Sequence, residues 1–157
     1  MSNQGVRGYY QVVKTIETQL LTDPNVNTVT VGDISDVDLS KQTIFPLAHL
    51  IVNSAQFATN MWRLNISVLV MDIVDVTKDT TTDLATGYSN EQDILNTQLA
   101  VLNVLLSNLS RGSLYTTKYQ IDSQPVCEPF TDRFEHLLTG WACTFDLLIE
   151  NDVDICS

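Results

Sequence analysis

The hydrophobic pattern of the chain is clearest from Trp62 to Val76 (WRLNISVLVMDIVDV). Its first half places apolar residues at alternate positions, which is the period of a β-strand with one buried face. The alternating positions are Trp62, Leu64, Ile66, Val68 and Val70. From Leu69 onward the intervening positions are apolar as well, so we expect the end of this strand to be covered on both faces.

A second extended stretch runs from Phe45 to Phe57 (FPLAHLIVNSAQF), and only residues 58–60 separate it from Trp62. This spacing predicts an antiparallel hairpin, with Pro46 tolerated at the start of its strand or on a sheet edge. The later strand is long for a small sheet, since typical strands have about five or six residues. We therefore expect Leu69, Met71 and Ile73 to lie in a subunit contact. The alternative is that the second predicted helix wraps over this strand end and covers both of its faces.

Two stretches have helical periodicity. Apolar residues recur at helical spacing from Val6 to Leu21, and Asp23-Pro24 predicts the end of this first helix. Its stripe contains Val6, Tyr9, Tyr10, Val13, Ile16 and Leu20. The second helix begins with a capping box at Ser89 and Gln92 and ends at Arg111-Gly112. Its stripe contains Leu95, Leu99, Leu102, Leu106 and Leu109, broadened by Ile94, Val101 and Leu105.

The remaining segments are shorter. Strands are predicted at Asn27–Gly32, Leu114–Ile121 and Trp141–Ile149. Pro125 and Pro129 are expected to break residues 124–131, and residues 132–138 to form a short helical turn that Gly140 ends. Together these elements predict a single α+β domain over residues 1–157, with a mostly antiparallel sheet and both helices on one face. We expect a polar connection at 33–43, a mobile loop at about 77–88 and a polar tail at 150–157.

The charge of the chain excludes one class of partner. Eight Lys and Arg oppose nineteen Asp and Glu, which gives a net charge of −11, and the cations are scattered singly. Phosphate backbones are bound by clustered cations, so direct nucleic-acid binding is not expected.

A transmembrane helix needs about 20 consecutive apolar residues, and no such run occurs. The first residues (MSNQGVRGYY) also lack the apolar core of a signal peptide, so we expect synthesis and residence in the cytoplasm.

The residues that could carry chemistry form no recognisable catalytic or metal-binding motif. His49 and His136 stand far apart without motif context, and His49 is expected to be a hydrogen-bonded histidine within a strand. Asp36, Asp38 and Ser40 match the first alternate ligands of a calcium loop, but Lys41 and Leu47 occupy the positions that need Gly and an acid. We therefore predict neither an enzyme, nor a metal site, nor a cofactor.

The cysteines and tryptophans are expected to be structural. Cys127, Cys143 and Cys156 are odd in number and lack CxxC spacing, so they are predicted to be free thiols, with Cys143 in the core. Trp62 and Trp141 each stand at the start of a predicted strand. They are expected either to anchor the core at the sheet end or to anchor an interface.

Taken in order, the elements resemble those of the tail-terminator or tail-completion proteins at the neck of tailed bacteriophages. The resemblance covers an N-terminal helix, a strand with an early proline (FPLAHLIV) and a long partner strand (WRLNISVLVMDIVD). It continues through a capped helix (SNEQDILNTQLAVLNVLLSNL) to a last strand that opens with Gly-Trp (GWACTFDLLIEN). Such proteins assemble into rings, commonly hexameric, that cap the tail tube and join it to the head connector.

The resemblance thus implies a virion structural protein of the neck, assembled in the host cytoplasm, that binds its own copies, the tail tube and the head connector. It carries no catalytic motif over to this chain. The alternative is a small ligand-binding or regulatory domain with a ferredoxin-like sheet, which would need a pocket with convergent polar groups. An enzyme without a recognisable motif is the third class and ranks last.

Overall fold

The computed structural model describes residues 4–38, 42–59, 61–73, 91–111, 119–122, 124–133 and 138–150. The helices are α1 (Gln4–Leu21) and α2 (Glu91–Arg111). The strands are β1 (Thr28–Val31), β2 (Leu47–Phe57), β3 (Met61–Ile73), β4 (Tyr119–Ile121), β5 (Val126–Arg133) and β6 (Leu138–Glu150). The expected loop at 77–88, the tail beyond residue 150 and the capping box at Ser89 lie outside the described residues.

The six strands form one mixed sheet in the order β1-β2-β3-β6-β4, and β5 also pairs with β6. Only β1 and β2 are parallel, and every other pair is antiparallel. The predicted α+β class and the predicted hairpin are therefore confirmed. The cis peptide bond at Phe45-Pro46 comes just before β2, so the proline stands at the start of its strand as expected.

The length of β3 is accommodated by an equally long partner. All 13 of its residues pair with β6, so the two central strands run side by side for roughly 40 Å at ~3.3 Å per residue. On the other side, β2 pairs with β3 through a register shift between Val52 and Ser54, which makes Asn53 the extra residue of a β-bulge. Since β6 accompanies β3 as far as Ile73, the described strand is paired within the chain's own sheet along its whole length.

Both helices pack on one face of the sheet, which we call the helix face. In β3 this face is formed by Leu64, Ile66, Val68 and Val70, all buried as the alternating pattern predicts. Cys143 and Phe145 of β6 join the same core. Side chains from α1 and α2 close it from above: Val12, Ile16, Leu20, Val101, Leu102, Leu105 and Leu109.

The helix stripes differ from the predicted ones in phase. In α1, Val12 is buried, whereas Tyr10 is 67% exposed and Tyr9 is also exposed. In α2, Leu99 is 41% exposed while the polar Gln98 is buried. The predictions for Tyr9, Tyr10 and Leu99 are therefore wrong, because each helix carries more apolar positions than its contact with the sheet covers.

The opposite face of the sheet is apolar at one end only, and the chain covers that end itself. Met71 is fully buried there, and Leu69 and Ile73 are half-buried. The cover comes from Phe45, Leu47, Phe130 and Leu138, with Ile34, Val37 and Ile44 of the connection between β1 and β2. The predicted subunit contact is thus wrong for Met71, which has no exposed surface. The alternative of a wrapping helix is also wrong, because the connection, β5 and the start of β6 supply the cover.

Residues 124–140 differ most from the sequence-based expectation. Pro129 lies within β5 instead of breaking it, and residues 132–133 continue that strand instead of starting a helical turn. The proline is tolerated because, among the described strands, β5 pairs with β6 alone, and a proline on an edge strand can keep its missing N–H outside the ladder. Gly140 likewise lies inside β6 and ends nothing. Its place opposite Met71 leaves no room for a side chain.

Candidate interaction surfaces

The tip half of β2, residues Asn53–Phe57, is the most exposed part of the sheet. Residues of β1 pair only with Leu47–Leu50, so no described strand pairs with the outer edge of residues 51–57. Phe57 is 67% exposed, and its ring meets that of Trp62 edge to face with centroids 5.3 Å apart. An unpaired strand edge next to an exposed aromatic ring is a ready template for pairing with another chain.

The opposite face of the sheet is polar below this hairpin tip and forms a hydrogen-bonded network. Asn53 Nδ2 donates to Asn65 Oδ1 and to Ser67 Oγ, at 2.9 and 2.8 Å. Asn65 Nδ2 donates in turn to Asp146 Oδ1 at 2.9 Å, and the hydroxyls of Ser67 and Thr144 are 3.0 Å apart. The amides and hydroxyls therefore satisfy one another across three strands, which holds the surface in one arrangement.

A polar depression of about 270 Å³ lies at the end of this network. It is lined by Ser54, Gln56, Arg63, Asn65 and Asp146. Arg63 forms an ion pair with the Asp122 carboxylate, and Asp146 accepts from Asn65. Because the charged groups already have partners in the chain, we interpret the depression as part of a wet contact surface and not as an anion or substrate site.

A groove of about 420 Å³ runs between the outer flank of α2 and β5. Its lining is mostly apolar, with the amides of Asn96 and Asn103 and the half-buried Cys127: the other lining residues are Leu99, Ala100, Leu102 and Leu106. Sequence reasoning missed this groove, because it assigned Leu99 and Leu106 to the buried stripe of α2. It is a shallow surface feature that brings solvent to the Cys127 sulfur.

His49 is buried and both of its ring nitrogens have partners. Nε2 lies 2.7 Å from the Gly32 carbonyl oxygen, and Nδ1 lies 2.6 Å from Thr30 Oγ1. A carbonyl only accepts, so Nε2 carries the proton and Nδ1 of the neutral ring accepts from the Thr30 hydroxyl. The expectation of a hydrogen-bonded strand histidine is confirmed. The second histidine of the chain, His136, lies outside the described residues.

The surroundings of His49 make folding dependent on pH. Burial lowers its pKa from the ordinary value of 6.5, although the Gly32 hydrogen bond and the Asp33 charge oppose the shift. The unfolded chain therefore binds more protons than the folded chain just below pH 6.5. We therefore expect the contribution of neutral His49 to the free energy of unfolding to be fully present above pH 6.5. This contribution is lost as the pH falls through the lowered pKa of the folded state.

This expectation is tested by thermal melts between about pH 7.5 and about pH 5. The His49→Gln variant, which cannot titrate at this position, should lose less stability over that interval than the wild type. Equal slopes for wild type and His49→Gln would show that His49 does not carry the effect.

The two tryptophans anchor the helix face at opposite ends. Trp141 Nε1 donates to the Leu95 carbonyl oxygen at 2.7 Å, which ties β6 to the first turns of α2. Trp62 packs against the main core while its other side meets the exposed ring of Phe57. Trp141 thus fits core anchoring, and Trp62 links the core to the exposed tip.

Some buried polar groups had no signal in the sequence pattern. Thr139 Oγ1 and Gln98 Oε1 are buried on the helix face, and neither has a hydrogen-bond partner among the residues that the structure describes. Asp72, opposite Thr139 in the register, has its pKa raised by burial, against the lowering effect of the hydrogen bond from the Ile73 N–H. Single polar residues inside a strand or helix do not alter its period, so nothing local marks them as buried.

Asp33, which follows β1, hydrogen-bonds the backbone just after it. Asp33 caps a short 3₁₀ helix, Ile34–Asp36, by accepting from the Ser35 N–H at 2.9 Å. This hydrogen bond lowers the Asp33 pKa. Ser40 and Lys41 of the rejected calcium loop lie outside the described residues. Within the part of the chain that the structure describes, no three His, Cys, Asp or Glu residues are placed to hold a metal ion.

Neither described helix has the length and apolarity needed to cross a membrane. A comparison of the chain with protein-family models gives no match, and a comparison with curated proteins gives none either.

Proposed function

We propose that this chain is a ring-forming structural subunit of a tailed-bacteriophage neck, of the tail-terminator or tail-completion type. In that role it joins the tail tube to the head connector, contacts copies of itself and these two neighbours, and binds neither nucleic acid nor membrane directly. The ring is hexameric or larger and is located in the virion after assembly in the host cytoplasm. The proposal rests on the resemblance in element order, and the α+β fold agrees with it.

The observation that carries the proposal is the exposed hairpin tip around Phe57. A closed ring is built from head-to-tail contacts, so each subunit needs two different contact surfaces. The outer edge of β2 at residues 51–57 offers one. The edge formed by β4 and β5 offers a second at the opposite side of the sheet, since within the described ranges these two strands pair only with β6. Exposed edges of this kind are normally covered or blocked in proteins that stay monomeric.

Charge supports contacts with protein more than with DNA. The net charge of −11 repels a phosphate backbone, while only 17% of residues are charged, below the usual share of about 25%. Subunits of the same negative charge also repel one another, and salt screens that repulsion. Association through apolar and backbone contacts should therefore strengthen as the salt concentration rises.

We expect the purified chain to form one discrete oligomer, more populated at about 1 M than at about 0.1 M salt, where the Debye length falls from ~10 to ~3 Å. Light scattering or sedimentation measures the mass, and negative-stain microscopy shows whether the particles are rings. Phe57→Asp should weaken association by at least about 30-fold, which corresponds to about 2 kcal/mol for an aromatic anchor.

The control is Tyr10→Asp, because Tyr10 on α1 is an equally exposed aromatic residue away from the hairpin tip. This variant should associate like the wild type, and both variants should keep the wild-type circular dichroism. A strict monomer at both salt concentrations, or equal loss of association in the two variants, would count against the proposed interface.

One observation, the groove beside α2, favours the alternative function of a small ligand-binding domain. Its volume of about 420 Å³ lies within the usual range of ligand pockets. Its polar groups are the two amides of Asn96 and Asn103 on one helix, however, and they do not converge from several sides. We therefore rank this function second.

A further inference from the structure

Cys127 and Cys143 are direct cross-strand neighbours in the β5–β6 ladder. Residues at such positions have Cα atoms about 4.5 or 5.5 Å apart, depending on which kind of antiparallel pair they form. Both values fall in the range of about 4.4–6.8 Å that a disulfide spans. The two thiols are free in the structure.

Both side chains lie on the helix face of the sheet. Cys143 is fully buried in the main core, and Cys127 packs against that core at its margin. Burial, together with a hydrogen bond to the Cys127 thiol, raises the pKa of Cys143. The register already places the two side chains opposite each other on one face of the sheet, so no strand has to move to a new register to join them.

Access to the pair is one-sided. Cys127 is half-buried and lines the groove beside α2, whereas Cys143 has no exposed surface. A small oxidant in the groove therefore reaches Cys127 first. Burial raises the pKa of Cys143 and so disfavours its reactive thiolate form, which leaves Cys127 as the sulfur that attacks first and Cys143 as the one that completes the reaction.

We propose that Cys127 and Cys143 form a reversible disulfide that links the edge strand β5 to the central strand β6, with a low-molecular-weight disulfide as oxidant. This site does not depend on the proposed role in a phage neck. The sequence predicts free thiols at these positions, and that prediction corresponds to the reduced state of the proposed pair.

The reaction balances as two thiol–disulfide exchanges. The Cys127 thiolate attacks one sulfur of the small disulfide, whose S–S bond breaks, and one small thiolate leaves with the electron pair. The Cys143 thiol then attacks the Cys127 sulfur, the mixed disulfide breaks, and the second small thiolate leaves and takes up the Cys143 proton. Two protein thiols are oxidised, one small disulfide is reduced to two thiols, and the two protein protons end on them.

Opposed residues of antiparallel strands have Cβ atoms about 4.5–5.5 Å apart, while a disulfide prefers about 3.5–4.5 Å. Closing the bond therefore draws the two strands slightly together. Strained disulfides are more easily reduced, so we expect the bond to open again with a moderate excess of a small thiol.

The test uses the full chain with Cys156→Ser, which leaves only the proposed pair. The protein is equilibrated with mixtures of oxidised and reduced glutathione, and unreacted thiols are then blocked with an alkylating reagent in denaturant, so that the buried Cys143 thiol is reached as well. Intact mass should show the loss of two hydrogen atoms and no alkylation as the oxidised fraction rises. Digestion should give one peptide pair joined through residues 127 and 143, and the oxidised protein should melt at a higher temperature than the reduced one.

The matched control moves the thiol by one residue. In the Cys156→Ser background, the double change Cys127→Ser and Glu128→Cys places it opposite Ala142, on the other face of the sheet. This variant should remain fully alkylated on Cys143, with unchanged circular dichroism. The proposal is overturned if both cysteines of the Cys156→Ser protein stay alkylated in pure oxidised glutathione, or if the disulfide forms between two chains. It is also overturned if the shifted control links to Cys143 as readily.

Discussion

The Met71→Asp variant is expected not to fold. Met71 has no exposed surface, and it lies between Leu47 of β2 and Gly140 of β6 in the sheet. Its side chain packs with those of Phe45 and Phe130 on the face opposite the helices. An unpaired carboxylate at this place costs several kcal/mol, which is comparable to the whole stability of about 5–15 kcal/mol of an ordinary domain.

Circular dichroism and thermal melting measure the loss of folding, and two further variants with smaller expected losses serve as comparisons. Met71→Leu conserves volume and should cost less than about 1.5 kcal/mol. Ile73→Lys changes a half-buried residue at the end of β3, where the lysine ammonium can reach water, so a much smaller loss than for Met71→Asp is expected. A Met71→Asp protein that melts like the wild type and merely fails to associate would restore Met71 to a subunit contact.

The second large effect is expected for Gly140→Ala. A Cβ atom at this position would lie on top of the Val70 carbonyl oxygen and 2.8 Å from Met71 Cα. Both atoms belong to the backbone of β3, so no side-chain rotation relieves the clash. The two central strands would have to separate locally, and we expect a loss of about 3 kcal/mol or more, comparable to other severe strain in a core.

Whether Gly140→Ala raises or lowers the free energy of unfolding shows whether the clash with the β3 backbone is real. Alanine is usually better than glycine inside a strand by roughly 0.5–1 kcal/mol, so without the clash the variant would be more stable. Ala142→Gly, two residues along the same strand and on the same face, is the matched control and should lose about 1 kcal/mol. Denaturant titration compares the three proteins. A gain in stability for Gly140→Ala would show that β3 and β6 are further apart than the structure has them.

Elements with a strict local period were predictable from the sequence. In β3 each apolar side chain on the helix face follows from the alternation, because burial there depends only on which side of the strand a residue occupies. The change to a strand covered on both faces near Leu69 was predictable for the same reason. What covers it was not, since Ile34, Val37 and Ile44 come from a connection whose residues follow no period.

The failures have a common cause in contacts that are distant along the chain. Pro129 reads locally as a break, and it becomes acceptable only because β5 is an edge strand. Gly140 reads locally as a stop, whereas the structure needs glycine because the β3 backbone approaches so closely. Similarly, the exposure of Leu99 depends on where α2 sits over the sheet. Neither the proximity of Cys127 to Cys143 nor the partners of His49 has any signature in spacing, because register decides both.

The bulge at Asn53 has a consequence for how the length of this chain can vary. Eleven residues of β2, Leu47–Phe57, face ten residues of β3, and Asn53 is the residue of β2 that has no directly opposite residue in β3. A gap at position 53 in a related sequence would leave every other cross-strand pair as it is. A single insertion or deletion elsewhere in either arm would instead turn all residues between that point and the tip to the other side of the sheet. Evolutionary length changes in this hairpin should therefore collect at position 53 and at the turn, residues 58–60, and should come in pairs anywhere else.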